Sequence, residues 1–207
     1  MLLAERFVLL LLDPESGEFN APHKKADLDA LCATGLLIEL VSQQRLRPQG
    51  NRLVANGSLP TSHPLLDEAH HALGLQAQTA AQCIAHLLKI QSPLPQHLCD
   101  GLYRRDVLHR ERRWKLFGGA TPRYRLRSHQ ARNETIAVLH AAKQRPQERI
   151  AHIGLLLMMD LAGALTRFFS AAEHGPAIEQ ILDLGSHRQD DENLRAVALL
   201  RDALIDT

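Results

Sequence analysis

The sequence predicts a mostly α-helical protein, a single helical domain over residues 1–207 that carries two small β-hairpins. Three observations lead to this fold class. Leucine and alanine, which favour helices, are abundant, whereas aromatic residues make up only 4% of the chain. Apolar residues recur at helical spacing in several long stretches. Two short stretches alternate between polar and apolar residues on both sides of a turn, as the strands of a hairpin do.

The N-terminal half is predicted to form five helices and the first hairpin. Leu2–Leu12 is almost wholly apolar and should form a helix buried on most sides, ended by a turn at Asp13–Gly17. In the hairpin, strands Arg45–Arg47 and Arg52–Val54 flank a turn at Pro48–Asn51. The other four helices, separated by loops and prolines, are Lys25–Ser42, Pro64–Leu73, Gln76–Ile90 and Gln96–Asp106.

The C-terminal half is predicted to begin with the second hairpin. Its strands are Arg110–Phe117 and Arg123–Arg127, and the glycines of Gly118–Pro122 supply the turn. The next helix ends near Lys143 and is capped by Ser128 or Asn133. The helices expected after it, of which the first has a wide apolar face and the second follows Gly175-Pro176, are Gln147–Ala172, Ala177–Leu184 and Asp190–Ile205.

Basic residues are concentrated in the second hairpin. Nine basic and two acidic residues between Arg104 and Arg127 give this window a charge of +7, so with a whole-chain charge of +1 the remainder carries −6. Alternation along the second strand places three arginines on one face and Tyr124 and Leu126 on the other. Such a separation of charge creates a local positive field that favours an anionic partner. The residues predicted to bind lipid or other anions are Lys24, Lys25, Arg110, Arg112, Arg113, Arg123 and Arg125.

Two aromatic residues lie near the tip of this hairpin. Trp114, the only tryptophan of the chain, and Phe117 should lie on opposite faces of the first strand, so one apolar layer cannot bury both. Aromatic rings are typical of membrane interfaces, and exposed ones favour association. We therefore expect Trp114 and Phe117 to act in membrane insertion or self-association. The alternative is a solvated hairpin whose tryptophan caps a local core.

The sequence offers no catalytic, metal or cofactor motif. Asp67–His70 spells a helicase box, but the chain contains no GxxxxGK[ST] loop to hold a nucleotide. The twelve histidines and three cysteines show neither HExxH nor metal-ligand spacing, and we expect reduced thiols at Cys32, Cys83 and Cys99. Glu39 interrupts an apolar helix face, where a buried glutamate paired with Arg45 is expected. The sequence therefore predicts a non-enzymatic protein with no catalytic residues, metal or cofactor.

The apolar stretches do not predict a signal peptide or a membrane span. Glu5 and Arg6 break the N-terminal apolar run, and no small-residue cleavage site follows it. The run Gly154–Met159 is bounded by Asp160 well short of a spanning length. We therefore expect a cytoplasmic protein.

Four stretches resemble the Golgi phosphoprotein 3 family, and its bacterial relatives in particular. They are Leu3-Ala4-Glu5 with Leu9–Asp13 and Gly17, then Gly35–Leu40 running into Arg45-Leu46, then Leu65–Ala69, then the helix and hairpin from Leu102 to Leu126. A looser match covers Arg149–Phe169. Together these stretches span nearly the whole chain in the order expected of the family.

The resemblance implies a helical protein associated peripherally with the cytosolic face of a membrane. Eukaryotic members bind phosphatidylinositol 4-phosphate, use the hairpin for membrane contact and self-association, and bind the cytosolic tails of glycosyltransferases as adaptors. The four basic or aromatic headgroup positions of those members correspond here to Lys24, Ala33, Ser92 and Pro95. None of the four family residues is kept, so we expect no specific recognition of that lipid. The expected partners are anionic lipid headgroups, a second copy through the hairpin, and client protein tails.

Two other functions fit parts of the pattern. A helix followed by a basic hairpin is typical of winged-helix proteins, whose arginines would contact nucleic-acid phosphates. Against this function, Gly35–Val41 is almost wholly apolar and offers no polar face to read bases. The second alternative is a protein–protein scaffold without lipid contact. Binding to an anionic lipid surface is the function that the sequence favours.

Overall fold

A computed structural model describes residues 1–20, 27–57, 60–114, 120–140, 146–183 and 191–205, without the side chains of 112–114, 120–121 and 146–148. In these ranges the chain is mostly helical with two antiparallel hairpins, which confirms the predicted fold class. The helices are α1 (Leu3–Leu11), α2 (Leu28–Ser42), α3 (Pro64–Leu73), α4 (Ala80–Gln91), α5 (Leu94–Arg104), α6 (His129–His140), α7 (Pro146–Leu161), α8 (Ala171–Leu182) and α9 (Glu192–Ile205). The strands are β1 (Leu46–Gln49), β2 (Arg52–Ala55), β3 (Leu108–Trp114) and β4 (Ala120–Leu126).

Helix α1 lies at the centre of the fold, packed against α2, α5, α6 and α7. Its close approach to α2 and α7 depends on two glycines. A Cβ atom on Gly35 would lie 3.0 Å from Ala4, and one on Gly154 would lie 2.9 Å from Leu3 and from Ile38. Such distances leave no room for a larger residue in so tightly packed an interior. These apolar contacts explain why α1 is buried along nearly its whole length, as the sequence predicts.

Distant side chains satisfy the backbone at both ends of α1. At its start, Glu39 Oε2 accepts a hydrogen bond from the Leu3 amide at 2.8 Å. At its end, Arg132 Nη1 donates to the carbonyl oxygens of Leu9 and Leu12 at 3.0 and 2.9 Å. Because helix termini leave backbone groups without intrahelical partners, these bonds replace the water that burial removes.

The structure corrects the expected partner of Glu39. Arg45 was predicted to pair with a buried Glu39, whereas the carboxylate is only partly buried and accepts from the Leu3 amide and, at 3.3 Å, from Gln43 Nε2. The start of α1 lies beside this part of α2 and presents an unbonded amide. The Leu3 amide is therefore the partner of Glu39, in place of the predicted Arg45 guanidinium.

One cluster of buried apolar residues extends from Leu2, just before α1, to Leu204 in α9. It includes all three cysteines, which are free, as the sequence predicts. Burial raises the pKa of Cys83 to about 11 and that of Cys99 to about 12. These thiols are therefore protonated members of the core.

The first hairpin pairs β1 with β2 in the register Leu46↔Ala55 to Gln49↔Arg52. Leu53 also pairs with Gln78, whose amide and carbonyl exchange hydrogen bonds with it at 2.8 and 2.7 Å. This bridge explains why α4 begins at Ala80 and not at Gln76 as predicted. Thr79 then caps the helix by accepting from the Gln82 amide at 3.2 Å.

The predicted core helix Gln147–Ala172 is interrupted. Gly163, at φ +69°, ends α7 in the left-handed region where glycine is favoured, and a 3₁₀ turn at Leu165–Arg167 follows. Ser170 then begins α8 through reciprocal hydrogen bonds with Glu173. Pro176 was predicted to separate two helices, but it lies inside α8. The carbonyl that loses its partner belongs to Ala172, which is exposed and accessible to water.

None of the helices in the described ranges combines the length and apolar character that crossing a bilayer requires.

Candidate functional site

The second hairpin is longer than predicted on its β4 side. Its register runs from Leu108↔Leu126 to Trp114↔Ala120, so Ala120–Pro122, predicted as turn, is strand. Both strands of a two-stranded sheet are edge strands, where proline is tolerated. The other predicted turn residues, Gly118 and Gly119, lie outside the described residues.

The inner face of this hairpin is fixed to α5. Leu108 is fully buried and Tyr124 is 5% exposed. The Tyr124 hydroxyl donates to Asp100 Oδ1 at 2.6 Å, and Arg110 Nη1 lies 3.4 Å from the same oxygen. Burial, and then the bonded Asp100 carboxylate, raise the pKa of Tyr124 well above its usual range. Tyr124 is thus a neutral hydrogen-bond donor that holds the hairpin to the helix.

The outer face of β4 carries the predicted arginines. Arg125 and Arg127 are exposed, Arg123 is half-buried, and the alternation with Tyr124 is confirmed. Arg110 belongs to the other face, because it is paired in register with Tyr124. The sequence, which grouped Arg110 with Arg123 and Arg125, did not anticipate this division of the arginines between two faces.

Carboxylates neutralise much of the charge on this hairpin. The ion pairs are Arg110–Asp100 at 3.4 Å, Arg123–Glu18 at 3.7 Å, Arg125–Glu111 at 3.4 Å and Arg127–Asp106 at 2.6 Å. Three acids from outside the basic window Arg104–Arg127 form ion pairs with residues inside it, namely Glu5, Glu18 and Asp100. With them the charge of the basic window falls from +7 to +4. The positive field that the sequence predicts is therefore present but weaker.

A buried carboxylate lies beneath the start of the hairpin. Glu5, 1% exposed, forms an ion pair with Arg105 through Oε1 and accepts from the Leu2 amide through Oε2 at 2.8 Å. His63 Nε2 lies 3.4 Å from the same Oε1. These residues border a cleft of about 540 Å³. Its other charged and titratable side chains are Glu68, His97, Asp100 and Arg104.

Sequence reasoning missed the Glu5 cluster. It treated Glu5 only as an interruption of an apolar run. A single acid among leucines was nevertheless a usable signal, because a buried carboxylate requires a cationic partner.

A second groove, of about 620 Å³, includes one of the four positions that the resemblance assigns to the lipid headgroup. Pro95 lines it, whereas Ala33 is completely buried. Its charged lining residues are three acids, Glu18, Asp27 and Asp29, and one base, Arg123. Asp29 accepts from the Ser92 hydroxyl at 3.1 Å and from the Leu94 amide at 2.6 Å. Among the described residues, this groove is acidic and does not form a phosphate site.

The remaining predicted site residues are only partly placed. Arg112 pairs in register with Pro122 and Arg113 with Thr121, but their side chains and that of Trp114 are outside the described part of the chain. Lys24, Lys25 and Phe117 lie outside it altogether. Membrane insertion or self-association through Trp114 and Phe117 stays a prediction. Within the described ranges, no group of three or more His, Cys, Asp or Glu residues is arranged to hold a metal ion.

Comparison with known families gives one match that covers nearly the whole chain. The family model described as Golgi phosphoprotein 3 (GPP34) matches residues 3–204. None of the curated proteins compared with the chain matches it. The match extends from the first residue of α1 almost to the end of α9, and so includes both hairpins and both grooves.

Proposed function

Because the chain belongs to the Golgi phosphoprotein 3 (GPP34) family, we propose that it is a non-enzymatic, peripheral membrane protein that binds anionic lipid surfaces. The observation that carries this proposal is the outer face of the second hairpin. Arg123, Arg125 and Arg127 alternate there with Tyr124, which holds the opposite face to α5. A rigid ribbon with cations on its outer side is suited to lie against negatively charged headgroups.

The ion pairs of this face limit the affinity. Arg125–Glu111 and Arg127–Asp106 are exposed pairs, and such pairs contribute about 0–1 kcal/mol. An arginine can therefore exchange its carboxylate for a lipid phosphate at little cost. Each arginine near an anionic bilayer contributes about 1 kcal/mol, and salt screens that attraction beyond about 10 Å. Binding should be weak, reversible and dependent on lipid charge.

The acidic groove bears on lipid choice. A headgroup with several phosphates would meet Glu18, Asp27 and Asp29 there, with Arg123 as the one base among the described lining residues. The phosphates and these carboxylates would both be negatively charged and would repel each other. We therefore propose that the protein recognises the negative charge of the lipid surface and not one particular phosphoinositide.

The winged-helix alternative loses support from the burial of α2. Every residue from Leu31 to Ile38 is buried, so the helix that precedes the first hairpin has no free face to enter a groove of DNA.

The proposal can be tested by co-sedimentation with vesicles that contain phosphatidylserine, with uncharged phosphatidylcholine vesicles as control. The intact protein should sediment with the anionic vesicles at low salt and less at physiological salt. The double variants R112E/R113E and R125E/R127E should lose this binding while their circular dichroism and melting temperature stay close to those of the wild type. Unchanged sedimentation of both folded variants would refute a role for this hairpin.

A further inference from the structure

The first hairpin has an outer face that is also basic. Leu46, Leu53 and Ala55 point into the core and are buried. In the register of the hairpin, the side opposite to them carries Arg47 beside Val54 and Gln49 beside Arg52. Arg45 continues this side, since its carbonyl accepts from the Asn56 amide at 2.8 Å in line with the ladder. Alternation therefore brings Arg45, Arg47 and Arg52 to one surface.

This surface differs from the second hairpin in the partners of its arginines. Arg52 Nη1 donates to the Ala77 carbonyl at 3.2 Å. Arg195, from α9, donates through Nη2 to the Gly50 carbonyl at the hairpin turn at 2.7 Å. Within the described ranges, no carboxylate forms an ion pair with Arg45, Arg47, Arg52 or Arg195. Among the described residues, no acid therefore neutralises their positive charge by an ion pair, whereas four arginines of the second hairpin are paired with acids.

We propose that the outer face of the first hairpin, formed by Arg45, Arg47 and Arg52 with Arg195 of α9 beside the turn, is a second contact surface for anionic phospholipid membranes. The proposal rests on the membrane association argued above, and it assigns to these residues a large part of the salt-dependent attraction. Guanidinium groups that have no carboxylate partner in the described ranges can pair with lipid phosphates without first leaving such a partner.

Two features favour a membrane over a nucleic acid as the partner. The turn at Gly50 is bonded to α9 and Leu53 to Gln78, so the ribbon lies along the helices and does not project as a groove-reading ribbon must. The described outer face consists of arginines, Gln49 and Val54, and so provides no ring on which bases could stack. Scattered contacts to many phosphates suit the flat surface of a bilayer.

The test compares three forms of the full chain on phosphatidylserine vesicles at low salt. R47Q/R52Q removes two charges from the proposed face. Its matched control, K89Q/R149Q, removes two exposed charges that lie on neither hairpin. A duplex DNA of matched charge is assayed in parallel.

R47Q/R52Q should lower the vesicle partition coefficient about 30-fold, since each arginine contributes about 1 kcal/mol and about 1.4 kcal/mol corresponds to tenfold. The control K89Q/R149Q should bind within about threefold of the wild type. If the wild type binds and R47Q/R52Q binds equally well, this face makes no contact and the inference alone is wrong. If the wild type binds no anionic vesicles, the proposed function fails and the inference with it. If no form binds vesicles, and the wild type binds DNA but R47Q/R52Q does not, the face is assigned to nucleic acid and the proposal is overturned.

Discussion

Glu5 and Arg105 form an ion pair whose two members should respond unequally to mutation. The Glu5 side chain is 1% exposed and the Arg105 side chain is 40% exposed. Replacing Arg105 with Gln leaves a carboxylate in the core whose remaining described contacts are the Leu2 amide and the His63 ring. Replacing Glu5 with Gln leaves a guanidinium that water can still solvate. A buried charge without a partner costs more stability than a charge that water can solvate. The Arg105 variant should therefore be less stable than the Glu5 variant.

The exposure of Arg105 sets the size of the effect. Breaking a fully buried pair costs about 3–5 kcal/mol, but solvent screens a partner that is two-fifths exposed. We therefore expect R105Q to lower the free energy of unfolding by about 2 kcal/mol and E5Q by about 1 kcal/mol. In a chain of this length about 1 kcal/mol shifts Tm by about 2–4 °C, so R105Q should melt about 4–8 °C below the wild type.

Urea denaturation of the two single variants and the double variant E5Q/R105Q measures the coupling. The double variant should be more stable than R105Q, because it retains no buried charge. R127Q, from an exposed pair, serves as control and should cost less than about 0.5 kcal/mol. If R105Q costs no more than R127Q, or if the two single effects add to within about 0.5 kcal/mol, the buried carboxylate does not depend on Arg105 and the reasoning is refuted.

Three further predictions concern the core thiols, lipid choice and the hairpin tip. The pKa values of Cys83 and Cys99, raised to about 11 and about 12, leave both thiols protonated near pH 8. A thiol reagent should therefore modify them at least about 100-fold more slowly in the folded than in the unfolded protein. Equal rates would contradict their burial. Vesicles matched in charge, with and without phosphatidylinositol 4-phosphate, should bind with affinities that differ less than tenfold, and a larger preference, above about 1.4 kcal/mol, would show a specific site. The double variant W114A/F117A should keep its melting temperature within a few degrees while it loses vesicle binding or dissociates an oligomer in sedimentation velocity; a loss of about 3–5 kcal/mol in stability, with binding and association unchanged, would mean that both rings belong to the core.

Periodicity in the sequence was sufficient to predict most elements. The bounds of α3 agree with the prediction at both ends, and β2 agrees within one residue, because proline and turn residues mark these ends locally. The burial of Tyr124 followed from simple alternation of side chains. Gly163 was not recognised as a helix end, since a single glycine within an apolar stretch also occurs inside helices. The tertiary position that requires its positive φ is not visible in the sequence.

The pairing of charges was beyond the reach of the sequence. Tyr124 meets Asp100 across 24 positions, and Arg105 meets Glu5 across 100. Composition shows how many acids and bases the chain has, but the packing of α1 and of the second hairpin against α5 decides which of them meet. The prediction of a strongly cationic second hairpin was too simple for this reason. For the same reason the sequence did not predict the basic face of the first hairpin. Its arginines differ from those of the second hairpin only in their ion pairs, which the tertiary structure determines.

The way in which α1 is capped has a consequence for how the protein is made. Helix α1 leaves the ribosome before α6 and α7, yet the side chain that bonds to its last carbonyls, Arg132, follows more than a hundred residues later. Gly154, which admits α7 against it, is synthesised later still. Until then a run of leucines has no complete cover, and such nascent segments attract chaperones or aggregate. Slow translation beyond α6 should therefore lengthen the time in which this chain needs protection.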